Sequence, residues 1–253
     1  MSDHALRPDR DLTVLVPARA GSKRCPGKNT KLLGGKPLLQ WTIDAAKAAH
    51  VAQIIVSTDD AVALSIAADA GCVIHHRKPA HATDDATDIM WVSDLIDRVT
   101  TPYFAICRPT SPFRTASTIR RAYAALVASK AHSVRAVERV IHPHPGKMWT
   151  LTPGAKTMQP VMVGSIHGAP WHSCPTQALP AVYVQNASLE IAQTWVIAGT
   201  GTISGHIIAP FLTDALEGFD VNVPEDFARA EAIAAALRPH SPSLIQSAHS
   251  SGS

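Results

Sequence analysis

Short apolar runs of strand length alternate along this chain with stretches in which apolar positions recur every three or four residues. Leu12 to Val16, Gln53 to Ser57, Cys72 to His76, Tyr103 to Cys107 and Ser133 to Val137 read as strands, and Leu38 to Ala49, Ala61 to Ala70, Ile89 to Val99 and Ala116 to Ser129 as helices. Nearly continuous apolar strands separated by amphipathic helices predict a mostly parallel sheet covered on both faces. The pattern breaks over residues 142–180, where Pro, Gly, His and Trp crowd around short alternating pieces such as Met158 to Val163. That stretch predicts an inserted β-rich arm rather than another βα unit. Strands over Ser188 to Ala192, Gly205 to Pro210 and Phe219 to Val223 then resume the core, followed by a helix over Pro224 to Leu237 with proline in its first turn. The expected organisation is one Rossmann-like α/β domain over residues 12–237, flanked by disordered segments at 1–11 and 238–253.

Composition narrows the class. With 46% hydrophobic and 17% charged residues, the 253-residue chain has enough apolar material for one substantial core and is unlike a disordered protein. No apolar run is long enough to span a bilayer and the start lacks a leader-like apolar core, so the expectation is a cytoplasmic protein without a membrane partner. Cys25, Cys72, Cys107 and Cys174 are widely spaced, which predicts free thiols. The 13 histidines fit no metal-ligand spacing and read as loop or surface residues. A net charge of +3, few aromatics and no basic stripe disfavour nucleic acid and suit a small anionic ligand.

The positive charge gathers where the first strand ends. Arg19, Lys23, Arg24 and Lys28 share a loop with Gly21, Ser22, Gly27 and Asn29, so close backbone approach, amide donors and cationic side chains combine. In an alternating β/α pattern, the loop after a strand is where open sheets hold ligands. The loop matches neither the Walker sequence nor the dinucleotide fingerprint, and taken alone it also fits a solvated charged turn. Further loops carry Ser57 to Asp60, best read as a helix cap, and Arg77 to Thr87, in which Thr83, Asp84 or Asp85 can cap while Arg77 has no local role. Arg108 to Arg114 places two arginines in a proline-stiffened loop able to grip a carboxylate or phosphate. If Phe219 to Val223 is a strand, Asp220 and Asn222 share one side and can present two oxygens to Mg²⁺.

Taken together, Pro17 to Asn29, Val56 to Asp60, Arg77 to Ala86, Pro109 to Arg114 and Asp220 to Phe227 resemble, in this order, the acylneuraminate cytidylyltransferases, also called CMP-sialic acid synthetases. The resemblance implies a three-layer α/β/α nucleotidyltransferase fold and a Mg²⁺-dependent reaction of CTP with an acidic α-keto sugar, giving a CMP-sugar and pyrophosphate. It implies that CTP lies on Arg19, Ala20, Gly21, Ser22, Lys28 and Asn29, with Arg77, Ala86 and Thr87 reading cytosine. It assigns the acceptor to Arg108, Thr110, Ser111, Lys147, Gln177, Tyr183 and Asn186, the metal to Asp220 and Asn222, and catalysis to Arg19, Lys28 and Asp220. It also implies a homodimer in which the 142–180 arm reaches the partner's site and offers Lys147.

Departures from the resembled pattern fall near the expected sugar pocket. Asn222 replaces an aspartate, Arg108 a glutamine, Cys174 to Pro180 an arginine-rich stretch, and Asn186-Ala187 an Asn-Gly pair. These changes leave room for another acidic acceptor, such as a phosphonate or other sugar acid, or for GTP in place of CTP. Asn222 also keeps open a catalytically weakened nucleotide-binding module.

Overall fold

In the computed structural model of the chain, residues 7–214 and 216–237 are described. Seven strands form the central sheet: β1 (Leu12–Pro17), β2 (Gln53–Thr58), β3 (Val73–His76), β4 (Tyr103–Ile106), β5 (Ser133–Arg139), β6 (Tyr183–Gln193) and β7 (Ile208–Leu212). Their spatial order is β7-β5-β6-β4-β1-β2-β3. β6 runs antiparallel to both neighbours, while the other pairings are parallel. The helices are α1 (Leu38–Ala48), α2 (Ala61–Asp69), α3 (Asp88–Leu95), α4 (Ala116–Ser129), α5 (Val196–Thr200) and α6 (Pro224–Leu237).

Alternation along the strands feeds two cores. Val14 and Val16 of β1 turn to one face and meet Leu39 and Ile43 of α1 and Ile119 and Leu126 of α4, whereas Leu15 turns to the other with Ile55, Phe104 and Trp91 of α3. A third cluster joins Leu33, Leu38, Phe113, Val221, Phe227 and Ala230. It clamps α6 against the chain that follows the basic loop, helped by Glu231, whose carboxylate accepts from Gly34 N at 3.2 Å. This clamp carries Asp220 to the same edge of the sheet as Lys28.

Four sequence expectations change. Phe219 to Val223 is not a strand: Val221 N donates to Thr110 O at 2.8 Å, and Asn222 N and Val223 N donate to Asp226 Oδ2, so these amides serve a loop and the entry to α6. The segment's side chains therefore do not alternate as strand positions would. Part of the first eleven residues has structure, since Pro8–Asp11 forms a helical turn whose Pro8 carbonyl receives Ala52 N. Residues 1–6 and the expected tail 238–253 lie outside the described residues. Helix α5, which is too short to show a period, was not foreseen, and β6 begins at Tyr183, five residues earlier than its apolar core. Residues 142–180 hold two short hairpins, Trp149–Leu151 with Met158–Pro160 and Ser165–Ile166 with Ala169–Pro170, among single helical turns.

Candidate functional site

The loops that leave β1, β2, β3 and β4 emerge at one edge because these strands are parallel, and those after β1, β3 and β4 line a cavity of about 390 Å³. Arg19, Lys28, Asn29, Arg77, Ala86, Arg108, Thr110, Asp220 and Asn222 all line it. Positions as far apart in sequence as Arg19 and Asn222 thus face one space.

The basic loop is braced from within. Gly27 sits at φ +64°, a left-handed turn that suits a residue without Cβ, and Lys28 N and Thr30 N close the turn onto Cys25 O and Gly27 O. Asn29 Nδ2 donates to Arg19 O at 3.0 Å, and Asp59 Oδ1 accepts Ala20 N at 2.8 Å. Asp60 caps α2 through Val62 N and Ala63 N, as the sequence suggested, while its neighbour Asp59 holds the loop instead. Arg19 reaches Ala82 O at 3.0 Å and Asp84 at 2.7 Å, and Lys23 meets the other oxygen of Asp84 at 2.7 Å. Asp84 is therefore a latch for the loop and not a helix cap; Thr87 occupies the cap position of α3, without a side-chain bond. A smaller cavity over the loop is lined by Arg19, Ser22, Lys23, Arg24, Lys28, Asn29 and Asp84.

Lys28 Nζ donates to Val221 O at 3.3 Å, and burial pushes its pKa below the ordinary lysine value against the opposing charge of Asp220. Beside it, Asn222 Nδ2 donates to Asp220 Oδ2 at 2.5 Å, leaving Asp220 Oδ1 buried with no partner among the described residues. Asn222 Oδ1 receives Arg24 Nη2 at 3.5 Å. No group of three or more His, Cys, Asp or Glu side chains fit to hold a metal occurs among the described residues. The orphaned Asp220 oxygen nonetheless suits a hard cation whose other ligands are phosphate oxygens and water.

Arg77 is buried, its guanidinium 4.6 Å from the centre of the Trp91 ring. Its Nε donates to Ser57 Oγ at 3.1 Å, its Nη2 is buried without a partner, and desolvation lowers its pKa to about 10.

Arg108 donates to Glu190 Oε1 at 3.2 Å and to Asp88, and Arg135 Nη1 lies 2.5 Å from Glu190 Oε2. Burial opposes the Arg108 charge, but Asp88 and Glu190 more than offset it and raise its pKa. Arg108, Ala187 and Asp220 also belong to an adjoining cavity of about 670 Å³ with Glu138, Asn186, Gly218, Asp226 and Arg229. The two cavities share a wall.

Other expected residues stand apart. Ala20 and Gly21 supply loop backbone, Thr87 precedes α3, and Ser111 is buried with its hydroxyl unpartnered. Lys147 Nζ donates to His172 O at 2.8 Å and to Cys174 O within the arm. Gln177 lines a separate arm cavity of about 350 Å³, and Tyr183 is half exposed at the start of β6. Within one chain, the arm residues do not join the site.

A family profile described as Cytidylyltransferase matches residues 13–146, which include the basic loop, Arg77 and Arg108. This chain belongs to the cytidylyltransferase family. It is 39% identical over 118 residues to the CMP-N,N'-diacetyllegionaminic acid synthase of Legionella pneumophila, a match covering 44% of this chain and 51% of that protein. It is 32% identical over 185 residues to an N-acylneuraminate cytidylyltransferase of Streptococcus agalactiae, covering 70% of this chain and 42% of that one. The matches thus span about half or less of these relatives' length. A solved CMP:2-keto-3-deoxy-manno-octonic acid synthetase complexed with CTP shares the fold at TM-score 0.66 and 16% identity, covering 89% of this chain and 99% of that one. A 4-diphosphocytidyl-2C-methyl-D-erythritol synthase from Anaerococcus prevotii superposes at TM-score 0.60 and 11% identity, covering 89% and 98%.

In this family member, the side chains that sequence reasoning missed are mainly acidic. Asp84, Asp88 and Glu190 restrain the arginines that the sequence made prominent, and Trp91 backs Arg77. Glu190 carried a detectable signal, since a carboxylate inside an apolar strand must be paired. Asp84 and Asp88 lie in a loop and a first helical turn, where acidic residues have ordinary local roles.

Proposed function

We propose that this chain couples CTP to an acidic α-keto sugar of the nonulosonic type, giving a CMP-sugar and pyrophosphate. The observation that carries this reading is the convergence of Lys28, Arg77 and Asp220 on one cavity that shares Arg108 and Asp220 with a second. The first has the cations and loop amides for a triphosphate, and the second has room for an acceptor beside it. The names of the relatives, which carry legionaminic and acylneuraminic acids, support the acceptor class.

In the proposed reaction the anomeric hydroxyl oxygen attacks the α-phosphorus; the new O–P bond forms as the bond to the bridging oxygen of pyrophosphate breaks. Lys28 and the loop amides neutralise charge growing on the leaving group, and Arg19 joins them once it leaves Asp84. Arg77 and Ala86 face the base, with Thr87 at the start of the next helix. Asp220 borders both cavities and accepts the hydroxyl proton. Asp220 and Asn222 Oδ1 would hold Mg²⁺, which supplies charge neutralisation at the phosphates when bound.

Arg108, Thr110 and Asn186 face the acceptor, and Ser111 stiffens their loop. Arg108 is not a free clamp for the acceptor carboxylate, because its charge is already matched by Asp88 and Glu190. An acceptor carboxylate must displace one of them or bind elsewhere. Lys147, Gln177 and Tyr183 act from the arm of a second copy, which completes the site in a homodimer. Ile141, Leu151 and Val163, 72%, 74% and 83% exposed, supply apolar surface for that contact.

Purified protein with CTP, Mg²⁺ and a panel of nonulosonic acids, octulosonic acids and phosphonates provides the test. Pyrophosphate release that needs both CTP and one nonulosonic acid is the expected result. Release with a phosphonate alone would replace the acceptor, and CTP binding without release under any acceptor would leave a binding module.

A further inference from the structure

Behind Arg77 runs a chain of polar groups, buried at Ser57 and His75 and partly exposed at Asp94, that the proposed reaction does not use. Arg77 Nε donates to Ser57 Oγ at 3.1 Å, Ser57 Oγ lies 2.9 Å from His75 Nδ1, and His75 Nε2 lies 3.2 Å from Asp94 Oδ2. Ser57 is fully buried and His75 is 3% exposed. With Arg77 occupying a lone pair of the Ser57 oxygen, the hydroxyl proton is directed to His75 Nδ1, and the ring proton on Nε2 then points to Asp94. Lys78, resting against Asp94, holds that carboxyl below the usual carboxylate range and so keeps it an acceptor.

Serine, histidine and aspartate in a row suggest a nucleophile, but this hydroxyl is sealed from solvent and faces a guanidinium. Its geometry suits support instead. Arg77 has one edge fixed by Ser57 and one face fixed by Trp91, whose own Nε1 donates to Asp88 Oδ1 at 2.8 Å. Nε makes the one side-chain hydrogen bond of Arg77 among the described residues, which leaves the guanidinium's other nitrogens, the buried Nη2 included, without a partner, on a side chain that lines the 390 Å³ cavity and not the smaller one above the basic loop.

We propose that Asp94, His75 and Ser57 are positioning residues that fix the guanidinium of Arg77, so that they govern affinity for the nucleoside end of the ligand and not for its phosphates. This rests on the nucleotide reading given above. The groups facing His75 are Ser57, Arg77, Asp94 and Arg98, whose Nη1 donates to Ile74 O; His81 and Lys78 approach through Asp94. A proton on His75 places a second cation behind Arg77 and reverses the direction of the Ser57 bond, which loosens the clamp.

Calorimetric titration of CTP and of inorganic tripolyphosphate into the full chain separates the two ends of the ligand. His75→Ala and Asp94→Ala are expected to weaken CTP about tenfold, the effect of one lost hydrogen bond to a charged group, with tripolyphosphate unchanged. Asp94→Asn keeps an oxygen to accept from Nε2 and should recover most of the affinity. In turnover, KM for CTP should rise in both alanine variants with kcat within about twofold. Equal weakening of both ligands would show a merely structural role and overturn the proposal. So would unchanged CTP affinity in both variants while Arg77→Lys loses it. If His75→Ala does not fold, the partly exposed Asp94 site still decides the matter. Failure of the unsubstituted chain to bind CTP overturns the nucleotide reading itself, a result distinct from either of these.

Discussion

Lys28 stands between two opposed influences, burial that favours its neutral form and the Asp220 charge that favours the ammonium. A triphosphate reinforces the second, so binding should raise the Lys28 pKa. Lys28→Met is expected to weaken CTP by about 10- to 100-fold, the usual effect of one charge-assisted hydrogen bond, measured by calorimetry. Asn222→Asp tests the neighbouring pair: it replaces the amide donor that now satisfies Asp220 Oδ2 with a like charge. Without Mg²⁺ that variant should lose thermal stability, and with Mg²⁺ it should recover stability and gain metal affinity. Glu190→Gln removes the carboxylate between Arg108 and Arg135, and breaking such a largely buried pair should cost about 3–5 kcal/mol in denaturant unfolding. Lys28, Arg108 and Asp220 were legible in the sequence from the composition of their loops; Glu190 and Arg135 were not, because each lies within a strand and their pairing joins distant elements.

At the level of elements, local chemistry accounts for most boundaries. Helix α4 begins at Ala116 because Thr115 and Thr118 form a reciprocal capping box, and it ends at Lys130 in the left-handed region. Thr115→Ala should lower stability by about 1 kcal/mol with little change in nucleotide affinity, a pair of readings that separates capping from site effects. The alternating strands and helices from β1 to β5 follow their apolar periods closely, since each buries side chains in the cores on the two faces of the sheet, and helix α6 follows its own against the third cluster. Phe219 to Val223 has strand composition without a strand, because its amides go to Thr110 and Asp226. β6 likewise hid its direction: antiparallel pairing depends on where the arm returns the chain. Its register against β5 shifts between Gln185 and Glu190, and this irregular stretch places Asn186 and Ala187 on the acceptor-side cavity. A Cβ at Gly218 would come within 2.6 Å of Asn186 and 2.7 Å of Glu138, so the cavity has little room for rearrangement there.

For the molecule as a whole, acid stability follows from the groups whose pKa values folding lowers. His75, depressed by burial below its ordinary 6.5, binds fewer protons folded than unfolded, so it favours the native state above that pH and withdraws its support as pH falls through the lower folded value. Asp94, depressed chiefly by Lys78, does the same from 3.8 downward. Thermal unfolding should therefore show a decline beginning below about pH 6.5 that His75→Gln largely removes, if the variant folds. The apolar arm carries the other whole-molecule prediction. Sedimentation should find a dimer, and Leu151→Asp with Val163→Asp should shift it toward monomer while the sheet remains folded.

The sequence by itself determined the element pattern, the covered sheet and the basic loop after its first strand, because apolar period and loop composition are local properties. Tertiary structure decided the rest. Only folding brings Asp220 to Lys28 through the Leu33–Val221–Phe227 cluster, sets Asp88 and Glu190 against Arg108, and places Asp94, His75 and Ser57 behind Arg77. These contacts join groups from separate elements, and a charge or hydrogen bond depends on distance in space, which the order of residues does not encode on its own.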